Sequence, residues 1–141
     1  MADDCTQPVL QALAPFETVQ SWPAGRILFR EGELPAGVYV LLSGEVDLIF
    51  ASRSGKAKTL RIAVAGQILG LSSLVSGRAH EYTASTESAT TVTGYIDRDK
   101  LLDVLNQEPR LWFSVLQILS GDIQSCYDRM KALAEVPAHR A

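Results

Sequence analysis

The chain has 141 residues, of which 47% are hydrophobic and 21% charged, so it is long enough for one domain with its own core. Its formal net charge of −3 gives no overall attraction to nucleic acids or anionic membranes. Cys5 and Cys126 lack the spacing of a disulfide framework or a zinc site. We find no signal peptide and no apolar run of about 18 residues, so we expect a cytoplasmic protein without a membrane segment.

The first two thirds of the chain have a β pattern. Residues 8–14 predict a short helical turn, and from Phe16 to Ile96 short β-favouring runs alternate with Gly, Pro and Ser. We predict strands near 17–21, 26–30, 37–43, 45–50, 58–64, 67–70, 81–87 and 90–96. The pattern is typical of an all-β sandwich or barrel.

After Ile96 the apolar spacing becomes helical. Asp97 or Asp99 can cap a short helix over about 98–105, and Pro109 suits the first turn of a longer helix over about 109–135. The long helix carries a heptad stripe formed by Trp112, Leu116, Leu119, Ile123, Cys126, Met130 and Leu133. Such a stripe predicts pairing with a second copy of the chain. The alternative is an amphipathic helix that lies wholly on its own core.

The segment from Pro23 to Val46 contains the run Pro23-x-Gly25-x-x-Leu28-Phe29-x-x-Gly32, continued by Gly37-x-Tyr39-x-Leu41-x-Ser43-Gly44-x-Val46. This run resembles the front half of the cyclic-nucleotide-binding domain of Crp/Fnr-type bacterial regulators. The resemblance covers about residues 15–133. It implies a single domain over 1–141, mainly β with flanking helices: a double-stranded β-helix, or jelly-roll-like β-roll, over about 16–96, followed by the dimerisation helix.

In that family the segment Gly66–Thr86 looks like the phosphate-binding cassette, whose ligand is a cyclic nucleotide or another small anion. The family pattern has Gly-Glu at its start and Arg followed by Ser or Thr at its end. The Glu accepts from the ribose hydroxyl, and the Arg neutralises the phosphate. Here Gly70 matches, but Leu71 stands at the Glu position, and His80 and Glu81 stand at the last two. With a turn one residue longer, Glu81 and Tyr82 stand there instead. We therefore do not expect conventional cAMP binding.

The resemblance implies a set of candidate ligand-binding residues: Gly70, Leu71, Ser72, Ser73, Arg78, His80, Glu81, Tyr82, Thr83 and Tyr127. Arg78 is either a phosphate ligand or a solvated turn residue. His80 can carry a partial charge and bind an anion, or it lies at the surface or rim. Glu81 can pair with Arg78 and close the pocket without a ligand. Tyr127 either helps to cover the pocket or flanks the dimer seam.

The sequence offers no assembled catalyst, since it lacks paired Cys and His, a zinc-protease motif and a nucleophile elbow. We expect no enzyme and no metal. Only Glu135–Ala141 follow the long helix, so we expect no DNA binding by this chain alone. Our leading hypothesis is a dimeric regulatory sensor domain with a small-molecule effector. The alternatives are a ligand-free protein-interaction module and the sensory half of a Crp/Fnr-type transcription regulator that lacks its DNA-binding domain.

Overall fold

The computed structural model describes residues 6–51, 57–87 and 90–121, with side chains for 6–50, 62–87 and 90–121. In this part of the chain, strands make up most of the structure and helices flank them. The helices are α1 (Thr6–Leu13), a 3₁₀ turn (Ala14–Phe16), α2 (Leu71–Ser76), α3 (Arg98–Gln107) and α4, which contains residues 110–121. The strands are β1 (Thr18–Pro23), β2 (Ile27–Phe29), β3 (Gly37–Ser43), β4 (Glu45–Ala51), β5 (Ala57–Val64), β6 (Ile68–Leu69), β7 (Thr83–Thr86) and β8 (Thr90–Asp97).

The strands form two four-stranded antiparallel sheets, in the orders β1-β8-β3-β6 and β2-β7-β4-β5. Strand β3 shows how the sheets are held together, because successive side chains of a strand point to opposite faces. Val38 and Val40 pack with the helices, whereas Leu41 packs with residues of the second sheet. The protein thus has one apolar cluster beneath its helices and another between its sheets, as in a jelly-roll-like fold.

Of the two capping candidates, Asp97 and Asp99, it is Asp97 that caps helix α3. The Asp97 carboxylate accepts a hydrogen bond of 2.9 Å from the backbone N–H of Lys100. The apolar side of α3 is formed by Leu101 and Leu105, which are fully buried beneath the first sheet. The capping bond and this burial together fix the direction in which the chain leaves β8.

Helix α4 packs on the β-domain along one side. Leu111 and Val115 are buried in the cluster beneath the helices, and Trp112, Ile118 and Leu119 pack against that cluster in part. By contrast, Phe113 is 70% exposed and Leu116 56% exposed. Phe113 lies two residues beyond Leu111, about 200° around the helix, and therefore faces away from the core.

The rest of the predicted long helix lies outside the described residues, together with Ile123, Cys126, Met130 and Leu133 of the heptad stripe. Among the residues that the structure describes, no helix has the length and apolar character needed to cross a membrane.

Candidate functional site

The cassette segment folds into a short helix between two glycines, which the sequence pattern did not predict. Gly70 (φ 86°) precedes α2, and Gly77 (φ 73°) ends it. Both φ angles lie in the left-handed region, which glycine adopts without a steric penalty. The last turn is closed by the N–H of Gly77, which donates to the carbonyl of Leu74, and by the N–H of Arg78, which donates to the carbonyl of Ser73. The middle of the cassette is thus a short helix whose C-terminus is capped by backbone hydrogen bonds.

The start of the cassette is apolar and packed into the core. Leu71 is only 1% exposed and belongs to the cluster beneath the helices, together with Leu74 of the same helix. Ser73 is also buried, whereas Ser72 is exposed. At the position of the family's Glu, the chain therefore has a core side chain that cannot accept a hydrogen bond from a ribose.

The ring of His80 is buried between a phenyl ring and the backbone of Gly70. Its imidazole stacks on Phe29 with the ring centroids 3.8 Å apart and 18° between the ring planes. A Cβ atom added to Gly70 would lie 3.0 Å from Cε1 of His80. The residue is 5% exposed, so a surface position, one of the two alternatives for His80, was wrong.

Backbone hydrogen bonds explain why His80 points inward. The N–H of Gly32 donates to the carbonyl of His80 over 2.8 Å, and the N–H of His80 donates to the carbonyl of Glu33 over 2.9 Å. These two bonds hold the part of the cassette that follows α2 against the loop between β2 and β3. Since that loop follows Phe29 directly, the imidazole is placed on the phenyl ring.

Burial also sets the charge of His80. Loss of solvent lowers the pKa of its imidazole, and the carboxylate of Glu33 opposes this effect without reversing it. Its Nδ1 atom is buried and has no hydrogen-bond partner among the described residues. The ring is therefore neutral near pH 7 and does not supply the positive charge that a phosphate needs.

The other candidate ligand-binding residues differ in how far they are exposed. Arg78 and Glu81 are exposed, whereas Tyr82 and Thr83 are half-buried. The centroid of the Tyr82 ring lies 5.6 Å from that of Phe29, and the hydroxyl oxygen of Thr83 accepts from the N–H of Glu31 over 2.9 Å. The exposure of Arg78 favours a solvated turn residue. Tyr127 lies outside the described residues.

A small cavity of about 130 Å³ opens beside His80, and the sequence pattern did not point to it. Its lining includes Phe29, Glu33, Tyr39 and Tyr95, none of which we had selected as a site residue. Burial raises the pKa of both tyrosine hydroxyls. Tyr39 and Tyr95 are direct cross-strand partners on β3 and β8. Pairing the two predicted strands would have placed these two aromatic residues opposite each other, and this is the sequence signal that could have indicated the cavity.

Acidic, histidine and cysteine side chains do not gather into a metal-binding group of three or more within the described ranges.

The chain resembles known proteins in both sequence and fold. A family model described as "Cyclic nucleotide-binding domain" matches residues 19–108. A cyclic nucleotide-binding domain from Methylobacillus flagellatus is 24% identical, with a TM-score of 0.76; the match covers 89% of this chain and 72% of that one. The catabolite activator protein of Thermus thermophilus is 19% identical, with a TM-score of 0.75, over 95% of this chain and 61% of that one. The c-di-GMP responsive global regulator CLP of Xanthomonas campestris is 17% identical, with a TM-score of 0.76, over 91% of this chain and 64% of that one.

This chain thus spans less than two thirds of the two named regulators, and it has no significant match among curated proteins. At these identities the structural neighbours show the fold that this chain shares with them. The family model covers well over half of the chain. The protein therefore belongs to the cyclic nucleotide-binding domain family.

Proposed function

We propose that this chain is a dimeric regulatory sensor domain whose cassette does not bind cAMP or cGMP in the conventional way. The observation that carries the proposal is the position of His80, whose neutral ring is buried between Phe29 and Gly70. In an ungapped match, this is the place of the arginine in the family's cassette.

The chemistry of a cyclic nucleotide is poorly matched by these residues. A cyclic phosphate carries a negative charge and is best bound by a planar fork of charged donors, which a neutral imidazole does not offer. Leu71 is a buried core residue and provides no acceptor for the ribose hydroxyl. Glu81 adds a negative charge at the following position, which disfavours an anion. The three substitutions therefore act in the same direction.

We further propose that the dimer forms through residues 109–134. Phe113 and Leu116 are exposed on α4 and line a groove of about 350 Å³ together with Gln117 and Ser120. An exposed apolar strip beside a helix that already packs on its own domain supports a second, intermolecular contact. Trp112 and Leu119, at the edge of this strip, pack only in part against the β-domain.

A physical route from the cassette to this helix is available. Leu71 and Leu74 of α2 share one apolar cluster with Leu111 and Val115 of α4. An effector that moves α2 would therefore change the packing beneath α4. In this proposal, such a shift alters how the dimer is presented to its partner.

Two observations favour particular versions of this function. Because Leu71 and His80 are both buried and are not exposed to a ligand at the cassette, a ligand-free interaction module is the second candidate. The fold neighbour CLP is a c-di-GMP responsive regulator, so a cyclic dinucleotide is the alternative effector that we would test first. We also propose that the protein is cytoplasmic and is not an enzyme, because the proteins that it resembles are binding domains and regulators.

A thermal-shift series on the full chain separates these versions. We expect no stabilisation by cAMP or cGMP. Stabilisation by c-di-GMP would identify the sensor version, and no shift with any cyclic nucleotide would favour the interaction module. A large shift with cAMP would contradict the proposal, because a ligand that binds only the folded state raises its stability.

A further inference from the structure

The cavity beside His80 adjoins the cassette, which contributes only His80 to its lining. It lies between the loop that follows β2 and strands β3 and β8. Its lining, all of it within the described part of the chain, does not include the cassette residues 70–76. At about 130 Å³ it has the volume of about four water molecules and falls below the range of ordinary drug-sized ligand pockets. A nucleotide does not fit this space, whereas a very small molecule does.

Aromatic rings form much of the cavity wall. The ring centroids of Tyr39 and Tyr95 lie 4.9 Å apart, with 56° between the ring planes. The ring centroid of Phe29 lies 6.1 Å from that of Tyr39, with 28° between the planes, and the Phe29 ring also stacks on the ring of His80. Tyr39 and Tyr95 are inclined to one another and form a corner, whereas the ring of Phe29 lies closer to parallel with that of Tyr39.

The charge around this corner is negative. Among the described residues that line the cavity, Glu33 is the only one with a fully charged side chain. Its Oε1 accepts a hydrogen bond of 2.9 Å from the N–H of Arg30, which holds the carboxylate in place. Burial is the main cause that raises the pKa of the Tyr39 hydroxyl, and the neighbouring Tyr95 and the negative charge of Glu33 raise it further. The pKa of the Tyr95 hydroxyl is also raised, mainly by burial and then by the negative charge of Asp97.

We propose that this cavity binds a small organic ammonium cation, with the rings of Phe29, Tyr39 and Tyr95 as its walls and Glu33 as its counter-charge. Cations are attracted to the faces of aromatic rings, and groups of such rings recognise methylated ammonium ions. The negative carboxylate excludes anions and strengthens the preference for a cation. The inference does not depend on how the cassette behaves towards cyclic nucleotides.

The test is a titration of the full chain with tetramethylammonium chloride, followed by heteronuclear NMR of the backbone amides. The neutral control is tert-butanol, which has the same number of non-hydrogen atoms, and sodium chloride at equal ionic strength controls for salt. We expect saturable shifts at the amides of Glu33, Gly37 and His80, in the millimolar range, with tetramethylammonium alone. Equal responses to tetramethylammonium and tert-butanol, or no saturable response in that range, would overturn the proposal.

Variants identify the groups responsible. Tyr95→Leu should weaken tetramethylammonium binding by about five- to thirtyfold, the range expected for a cation–π contact as it becomes desolvated. Glu33→Gln should weaken it by about three- to fivefold, since the carboxylate is exposed and screened by solvent. Glu108→Gln, an exposed carboxylate at the end of α3, should leave the affinity unchanged. If Tyr95→Leu does not fold, Glu33→Gln decides the result, and an unchanged affinity in that variant would contradict the assignment.

Discussion

The imidazole of His80 and the phenyl ring of Phe29 are stacked with their centroids 3.8 Å apart and 18° between their planes. This contact joins the last part of the cassette to the end of β2, and it holds the His80 ring inside the domain. The stacked pair therefore takes part in the packing between the sheets, and the stability of the domain should depend on it.

Removal of the phenyl ring should be costly. Phe29 is 7% exposed and packs in the cluster between the sheets, so we expect Phe29→Ala to lower the free energy of unfolding by about 3 to 5 kcal/mol. Urea unfolding followed by circular dichroism measures this change. Leu34→Ala is the control because Leu34 is 77% exposed, and it should change stability by less than about 0.5 kcal/mol. Similar losses in the two variants would show that the stack contributes little.

The stability of the domain should decrease on mild acidification. Burial lowers the pKa of His80 in the folded state below its ordinary value of 6.5, whereas the unfolded chain regains that value. Between the two pKa values the unfolded state binds more protons, so the free energy of unfolding falls as the pH drops through this window. The contribution is complete above pH 6.5 and lost below the pKa of the folded state. Glu33 is the charged group that opposes the shift.

Unfolding midpoints between about pH 5 and pH 8 test this dependence. His80→Gln, which cannot titrate in this range, should lack the step that the native chain shows. Identical pH profiles for the two proteins would mean that His80 is not the responsible group.

Two glycines of the cassette should differ in their tolerance of alanine. Gly70 and Gly77 both have left-handed φ angles, but only at Gly70 would a Cβ atom meet another group within 4 Å. That group is the His80 ring, at 3.0 Å from Cε1. We expect Gly77→Ala to cost about 1 kcal/mol and Gly70→Ala to cost about 2 kcal/mol or more in unfolding free energy. The reverse order would contradict the described position of the ring.

The dimer proposal predicts a specific effect at Leu116. This residue is 56% exposed on α4, so Leu116→Asp should leave the domain folded and convert the dimer to a monomer. Sedimentation equilibrium at tens of micromolar measures the mass. Val19→Asp, at a residue 62% exposed on β1, should leave the mass unchanged. A native chain that sediments as a monomer would remove the basis for the proposed interface.

Local chemistry accounts for the features that the sequence predicted well. Alternating apolar residues and turn residues placed the strands close to their observed positions, because both signals act over a few neighbouring residues. The cap of α3 is another local signal, since Asp97 needs only the N–H of Lys100. The resemblance through Gly32, Gly37 and Gly44 then gave the arrangement of the sheets, which local patterns alone do not specify.

Long-range packing accounts for the features that the sequence did not reveal. Ser72 and Ser73 are residues typical of turns and caps, and α2 forms around them because Leu71 and Leu74 pack beneath the helices. His80 lies two residues after the exposed Arg78 and directly before the exposed Glu81, so its surroundings in sequence suggest a surface position. Its burial depends on Phe29, which is far away along the chain. The aromatic cavity was missed for the same reason, because it requires the pairing of β3 with β8.

Leu71, His80 and Glu81 together should remove conventional cyclic nucleotide binding, which calorimetric titration with cAMP measures. The native chain should give no measurable heat of binding. The triple variant Leu71→Glu, His80→Arg and Glu81→Ser restores the family pattern and should gain affinity by at least about tenfold, as expected for charge-assisted hydrogen bonds. Submicromolar binding of cAMP by the native chain would contradict the account, as would a folded triple variant that gains no affinity.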